Sequence, residues 1–395
     1  MKHPCFDKAH DYGRIHLPVA KKCNLGCNFC NRKYDCFNES RPGVTSRVLS
    51  PKEAVIKTIF YKENMENLSV VGISGPGDPL ANIKETKTTL TILKKLYPEL
   101  KLCLSTNGVN LLESIGWLSE IGVGYVTVTV NALIPEIAEK IYSFVVKDGR
   151  VYKGMEMAEL LVELQKKGVE ELVARGFKVK INTVCIPGIN DNHVVDIGRF
   201  FRKLGISLFN VIPLIPVEGT VFWRKGLRKP PEKKEFLNIQ TVLASEGLNV
   251  MTHCKTCRAD AVGKLSGETE KNRSLIAVTS LNGEKVDSHF GSFKRLYLFD
   301  SFTGEFCGVR DIEGTYNSIF FNDFESLKSV LGVLKDCSVL VTKKVGGFPK
   351  CLLSELGISV IETGESVMAT VSSLTSKSFL NSLSCFEYCG FGGIQ

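Results

Sequence analysis

Cys23, Cys27 and Cys30 stand in a Cys-x-x-x-Cys-x-x-Cys array. Three thiolates on one short loop can ligate three irons of a four-iron four-sulfur (4Fe-4S) cluster and leave the fourth iron open to a small molecule. Zinc competes, but a structural zinc asks for four ligands in two pairs, which a single three-cysteine loop does not supply. The chain carries 14 cysteines in 395 residues, and its opening MKHPCFDKAH lacks the apolar core of a secretory signal. A reducing compartment then favours metal or redox chemistry over a disulfide framework. Packing thiols in a cysteine-rich chain are the plain alternative. Cys5 and Cys36 lie near the array, and Cys385 and Cys389 lie near the end. Cys254 and Cys257 form a Cys-x-x-Cys pair that alone reads equally as half of a zinc ribbon.

Polar residues recur where a site would need them. Phe29, just before the last cysteine of the array, can pack over a bound nucleotide. Ser74-Gly75-Pro76-Gly77-Asp78-Pro79 forms a glycine-rich turn, and glycines let backbone approach a ligand closely. An empty tight turn explains it as well. With period two, Cys103, Ser105 and Asn107 share one strand face, as do Thr127, Thr129 and Asn131 on the next strand, with Asn182 on the one after. Singly, each is more often a satisfied core polar group. At successive strand ends, a shared ligand explains them better. Among the histidines, His3 and His10 flank Cys5 and are preferred over His16 as metal ligands.

The elements that must position these residues are strands near 14–20, 70–74, 101–107, 125–131, 178–186 and 208–216, alternating with helices near 51–66, 83–97, 110–120, 152–175 and 190–204. Six βα units in a row predict a parallel sheet with helices outside it, a partial (βα)6 barrel of the TIM kind. The polar stretch 264–274 reads as a linker. A second domain over 275–380 is expected to be a small α/β mixed-sheet domain of the ribonuclease H-like kind, with strands at 275–280, 285–290, 295–300, 338–342 and 358–362. Residues 381–395 form a cysteine-containing tail. In the second domain His289 is a candidate metal or cluster ligand, equally a turn histidine; Cys337 and Cys351 read as buried packing thiols, and Cys185 and Cys307 as structural.

Composition bounds the rest. Apolar residues make up 44% and charged residues 23%, and no apolar run is long enough to span a membrane. The expectation is a soluble cytoplasmic protein without membrane or nucleic-acid partners. Net charge is +8, and because 275–395 is net acidic the basic excess sits in 1–263. Its lysines are scattered, without a basic block, so an anionic small substrate or an acidic electron donor suits the sign.

The cysteine loop after strand one, the glycine-rich turn and the Ser105-Thr106-Asn107-Gly108 strand end resemble radical S-adenosylmethionine (SAM) enzymes. In that family the open iron chelates SAM and reduction yields a 5′-deoxyadenosyl radical. The resemblance implies SAM contacts for Phe29, Gly75, Gly77, Asp78, Ser105, Asn107, Thr129, Asn131 and Asn182. It narrows further. His3-Pro4-Cys5, the run Cys27-Asn28-Phe29-Cys30-Asn31-Arg32-Lys33-Tyr34-Asp35-Cys36, Glu39-Ser40-Arg41-Pro42-Gly43 and His253 to Ala261 resemble the NifB family of nitrogenase cofactor maturases over nearly all of 1–263. Residues 286–291 resemble NifX/NafY-type cofactor-binding domains, which implies product binding at His289. Ile134 departs from the pattern, where the family is expected to carry Asp before Pro135.

The resemblance implies fusion of two 4Fe-4S substrate clusters into an eight-iron precursor, NifB-co, with a carbide drawn from SAM, in lyase- or transferase-type chemistry. It also implies Cys5, Cys36, Cys103, Cys254, Cys257, His3 and His10 as substrate-cluster ligands, with Glu39 and Arg41 moving protons or holding SAM. Partners would be a ferredoxin- or flavodoxin-type electron donor, a cluster-supplying scaffold and downstream cofactor-assembly proteins. The rival readings are a radical SAM enzyme acting on a peptide or tRNA, and a non-enzymatic iron–sulfur scaffold.

Overall fold

Two compact units divide the chain, one from Met1–Val55 with Asn67–Thr269, the other from Ile56–Glu66 with Glu270–Gln395. The computed structural model describes residues 2–7, 9, 11–31, 45, 47–65, 67–251, 259–264, 273–312 and 324–375. None of the described helices is long and apolar enough to cross a membrane.

The first unit contains β1 (Gly13–His16), β2 (Leu25–Cys27), β3 (Leu68–Ile73), β4 (Lys101–Thr106), β5 (Val123–Thr129), β6 (Tyr142–Lys147), β7 (Arg150–Tyr152), β8 (Lys178–Cys185), β9 (Leu208–Pro213), β10 (Asn249–Val250) and β11 (Val262–Lys264). Helix α1 (Pro51–Asn64) is divided between the units at Val55, and the helices wholly within the first are α2 (Ile83–Leu96), α3 (Ile115–Ile121), α4 (Pro135–Ile141), α5 (Gly154–Ala174), α6 (Val194–Lys203), α7 (Val221–Arg224) and α8 (Lys233–Ser245). The main sheet runs β10-β9-β8-β5-β4-β3-β1-β11. Its members are parallel except β11, which runs antiparallel to β1. The result is an open, curled half-barrel. The six expected strands are its centre; β10 and β11 extend both edges and are too short to give a period signal.

Alternation along each strand builds two environments. On β4, Leu102, Leu104 and Thr106 are buried, while Cys103 and Ser105 are half-buried and face the lumen. Helix α5 buries Met157, Leu161, Gln165, Gly168 and Leu172, a spacing of three or four that lays one face on the sheet. Each such apolar side chain contributes about 1.5–3 kcal/mol as an upper estimate. Several short elements were not foreseen. The β6–β7 hairpin adds to β2 in a separate three-stranded sheet, and α4 starts at Pro135.

The second unit contains β12 (Leu275–Thr279), β13 (Arg295–Asp300), β14 (Phe306–Asp311), β15 (Cys337–Thr342) and β16 (Ser359–Glu362), with α9 (Phe324–Val333), α10 (Gly347–Glu355) and α11 (Val367–Leu374). Its mixed sheet runs β14-β13-β12-β15-β16. The β12–β13–β14 pairings are antiparallel and the β12–β15–β16 pairings parallel. Ile276, Val278, Val339 and Val341 pack against Val367, Val371 and Leu374 of α11.

The expected strand at 285–290 is instead a loop. Val286 and Phe290 are buried, and their amides donate to Glu365 and Lys344 carbonyls rather than to a ladder. Strand β14 escaped notice because it lies at the sheet edge, with Phe306 and Val309 exposed. Cys351 and Cys307 are exposed, contrary to their reading as packing or structural thiols. Cys337 and Cys185 are buried, and burial pushes both thiols up to about 12.

Candidate functional site

The cysteine loop leaves the C-terminal end of β1, where a parallel barrel places its chemistry. Its backbone is held from several sides. Buried Asn28 donates its amide N–H to the Ile141 carbonyl and its side-chain Nδ2 to the Lys140 carbonyl (2.9 Å), while its own carbonyl accepts from Phe222. The Ser143 hydroxyl donates to Asn28 Oδ1. Asn82 brackets Lys22, accepting from its amide (3.1 Å) and donating to its carbonyl (2.8 Å). Cys23 and Cys27 are half-buried and Cys30 is exposed.

The glycine-rich turn is the loop's near wall. Gly77 donates to the Ala20 carbonyl (2.6 Å), and Asp78 to that of Lys22 (2.9 Å). A Cβ at Gly77 would collide with the Lys22 carbonyl. Gly77 is therefore required by close approach of the cysteine loop itself. Gly75 accepts from the Ala20 amide.

Asp78 is buried and accepts from Thr106 Oγ1 (2.9 Å), Asn107 N (2.6 Å) and Leu80 N (2.8 Å). Burial raises its carboxyl, and these donors act against that rise. Asp78 thus ties the turn to the end of β4. Asn131 is likewise committed, donating to the Tyr142 hydroxyl (3.0 Å) and accepting from Val184 N (2.8 Å). Burial lifts the Tyr142 hydroxyl well above its ordinary range, and Cys27 beside it adds to the lift.

Asn107 reaches the array: its Nδ2 donates to Asn24 Oδ1 (2.9 Å) and lies 3.7 Å from Cys23 Sγ. Gln165 of α5, which sequence reasoning missed, holds the Asn107 and Thr129 carbonyls (2.7 and 3.0 Å). Phe29 lies against Phe222, ring centroids 6.3 Å apart, within the apolar cluster that also touches Cys23 and Cys27. Among the described residues no trio of His, Cys, Asp or Glu converges on a single ion. Three soft thiolates on one braced loop, with an amide donor beside Cys23, suit a multi-iron cube rather than one ion.

Below the loop lies a lumen that is partly open to solvent. Its walls include His16, Cys103, Ser105, Thr127 and Asn182, and its cations are Arg14 and Lys180. His16, Gly72 and Cys103 are neighbours in register across β1, β3 and β4. A Cβ on Gly72 would come 2.9 Å from His16 Cδ2 and 3.9 Å from Cys103 Cβ, so both side chains lean into the space that glycine leaves. Asn182 accepts from Asn210 Nδ2 (3.1 Å).

The floor is the N-terminal segment. His3 and Cys5 face the lumen from it. Asp7 anchors it, accepting from His3 N (2.6 Å) and pairing with Lys101 (3.2 Å), while Ser69 holds the Lys2 carbonyl (2.8 Å). His3 is 3% exposed. Burial first, then Lys180, pushes its imidazole down to about 3. Cys5 and Phe6 N–H groups point at Nδ1 (3.2 and 3.4 Å), while Nε2 finds no partner among the described residues.

The structure therefore gathers His3, Cys5, His16 and Cys103 in one chamber, so that His16 joins His3 there. His10, Cys36, Glu39, Arg41, Cys254 and Cys257 lie outside the described residues. In the second unit His289 is exposed on the 286–290 loop. That loop crosses the C-terminal ends of β12 and β15, where Thr279 and Thr342 hydroxyls donate to the Ser288 carbonyl (2.8 and 3.1 Å).

Comparison with known proteins bears on both units. Residues 17–201 match the Radical SAM superfamily, and residues 272–377 match the family described as dinitrogenase iron-molybdenum cofactor. The chain is 39% identical to the FeMo cofactor biosynthesis protein NifB of Klebsiella pneumoniae, over 90% of this chain and 86% of that one. Identity to the proteins of the same name is 36% in Bradyrhizobium diazoefficiens (91% and 83% covered) and 37% in Chlorobaculum tepidum (91% and 88%).

Proposed function

The chain belongs to the NifB family, radical SAM proteins of FeMo-cofactor biosynthesis, and from that premise we propose that it fuses two 4Fe-4S substrate clusters into an eight-iron precursor with a SAM-derived carbide. The observation that carries this reading is the chamber beneath the cysteine loop, where thiol and imidazole side chains converge from three separate segments. A carrier would need no such enclosed space, and a peptide or tRNA modifier would have no use for inward-facing thiols.

Cys23, Cys27 and Cys30 would hold the resident cluster, which when bound chelates SAM at its open iron and supplies the electron that splits the sulfonium. Around it, Asn107 orients Cys23 and turns 75–78 hold the loop against the strand ends. Phe29, Ser105, Thr129 and Asn182 remain proposed contacts for SAM; Asp78 and Asn131 would act by bracing. Cys5, His3, Cys103 and His16 would ligate substrate clusters, joined by Cys36, Cys254 and Cys257, with Glu39 and Arg41 as proton-moving groups.

In the second unit the sheet order 3-2-1-4-5 supports a ribonuclease H-like domain. Its chain reverses direction across the sheet between β12 and β15, the position where open α/β sheets bind ligands. His289 there would hold the product for downstream assembly proteins. A ferredoxin- or flavodoxin-type donor would supply electrons, and a scaffold the clusters.

Anaerobic reconstitution tests the reading. About twelve irons per chain are expected, three four-iron clusters. Methyl-labelled SAM should leave label in the acid-labile cluster fraction. Four irons per chain, or label confined to small molecules, would overturn it. Cys27→Ala should abolish SAM cleavage.

A further inference from the structure

One buried donor on the cysteine loop lacks an acceptor. Asn24, between Cys23 and Leu25, is 7% exposed, and its Nδ2 finds no partner among the described residues. A side-chain amide carries two N–H donors and one carbonyl acceptor, and a buried donor whose bond is not made costs free energy. The direction of this amide is fixed by its neighbours. Val109 N donates to Asn107 Oδ1 (2.9 Å), which turns Asn107 Nδ2 toward the loop. Asn107 Nδ2 in turn donates to Asn24 Oδ1 (2.9 Å), so reversing the Asn24 amide would set two donors against each other. Nor is either residue slack. The Asn24 carbonyl accepts from Val146 N of β6 (2.7 Å). Asn107 is pinned by Asp78 at its backbone amide (2.6 Å) and by Gln165 at its carbonyl (2.7 Å). Asn107 Nδ2 also has Cys23 Sγ at 3.7 Å. The first thiol of the array thus has one amide donor beside it and, on the next residue, a second that is unused.

We infer that the side-chain amides of Asn24 and Asn107 donate to sulfur atoms of the resident cluster and raise its reduction potential. This rests on Cys23, Cys27 and Cys30 holding that cluster. A cluster bonded to Cys23 brings sulfur acceptors next to Asn24, its neighbour in the chain, and the missing bond of Nδ2 is then made. Thiolate-ligated clusters are anions, and an added electron makes their sulfurs better acceptors. N–H donors aimed at sulfur therefore favour the reduced form, and such bonds are among the terms that set the potential of iron–sulfur centres. The apolar patch of Leu25, Val145 and Phe222, against which Cys23 and Cys27 pack, keeps the local dielectric low and strengthens each bond. Both amides are neutral, so they ease electron entry without adding a fixed charge to the site.

The test uses the full-length, anaerobically reconstituted protein with Asn24→Leu, a neutral side chain of similar size that donates nothing. Two quantities are read: iron bound per chain, and the midpoint potential, measured without SAM, of the iron–sulfur signal that SAM addition perturbs. Iron loading should stay near wild type, because all three thiolates remain. The reduction equilibrium should fall by about tenfold, the worth of one hydrogen bond to a charged group, which is about 59 mV for one electron. An unmoved or raised potential would overturn the inference. That holds if iron loading drops with it, the result of a role confined to bracing the loop. It holds equally if SAM binds more weakly at an unmoved potential, which would give the amide to the nucleotide. If Asn24→Leu binds no iron, Asn107→Ala is read in the same way. Failure of both to load would overturn the inference, since the amides would then serve only the loop's shape. Wild-type protein without a signal that SAM perturbs would instead overturn the reading of the cysteine loop.

Discussion

At the scale of single residues, the cysteine loop depends on groups that carry none of its thiols. Asn28, Asn82 and Asp78 fix its backbone, and Gly77 lets it lie against the next strand's turn. Gly77→Ala puts a methyl group into the Lys22 carbonyl, and backbone cannot yield as a flexible side chain would. The expected cost is about 1–3 kcal/mol of overpacking, concentrated on the loop. The variant should melt lower and lose most of its SAM cleavage after reconstitution, while Gly124→Ala, with open space around it, stays near wild type. Equal iron loading and cleavage in Gly77→Ala and wild type would show that the loop does not need this close approach. The array itself was readable in the sequence because ligand chemistry ties residue type to short spacing. Its braces were not, since an asparagine shows its partner only when distant strands have come together. The same limit hid the third histidine: neighbours in sequence favoured His3 and His10, and the structure places His3 and His16 both on the lumen, His16 beside Cys103.

At the scale of elements, the lumen-facing polar residues were foreseen by period two, because a strand puts Cys103 and Ser105 on one face whatever surrounds it. The β6–β7 hairpin and α4 were missed because their signals are short and local. Helix α4 also explains what the departure at Ile134 costs. Ile134 is its N-cap, with extended backbone (φ −116°, ψ 126°), no side-chain cap and 43% exposure. Orphan N–H groups at that end lack an acceptor that Asp would supply, and a carboxylate also suits the positive end of a helix. Ile134→Asp should therefore stabilise the protein by about 0.5–1 kcal/mol, read as a raised Tm and slower amide exchange in Pro135–Ile141. A neutral or lowered Tm would mean that exposed Ile134 is making apolar contacts worth more than the cap. The 285–290 stretch taught the converse lesson. Its buried Val286 and Phe290 mimic a strand's alternation, but they plug the second unit's core from a loop.

At the scale of the whole molecule, the basic excess of the first 263 residues acquires a location. Lys21 and Lys22 precede Cys23, Lys140 carries the carbonyl that holds Asn28, and Arg224 and Lys225 follow the Phe222 amide that binds the Asn28 carbonyl. All five are exposed. Glu139 and Glu218 on the same segments dilute this rim without reversing its sign. Cys30, the exposed member of the array, sits among them. An acidic one-electron donor would be steered to that rim, and steering of exposed charges weakens with ionic strength as the screening length falls. SAM cleavage driven by a reduced flavodoxin-type donor should thus slow by about tenfold between low and high salt. Cleavage driven by a small chemical reductant should change far less. Arg224→Glu combined with Lys225→Glu should flatten the salt dependence and lower the low-salt rate without altering the reductant-driven rate. A donor-driven rate indifferent to salt, or one unmoved by the double reversal, would place electron entry elsewhere on the molecule.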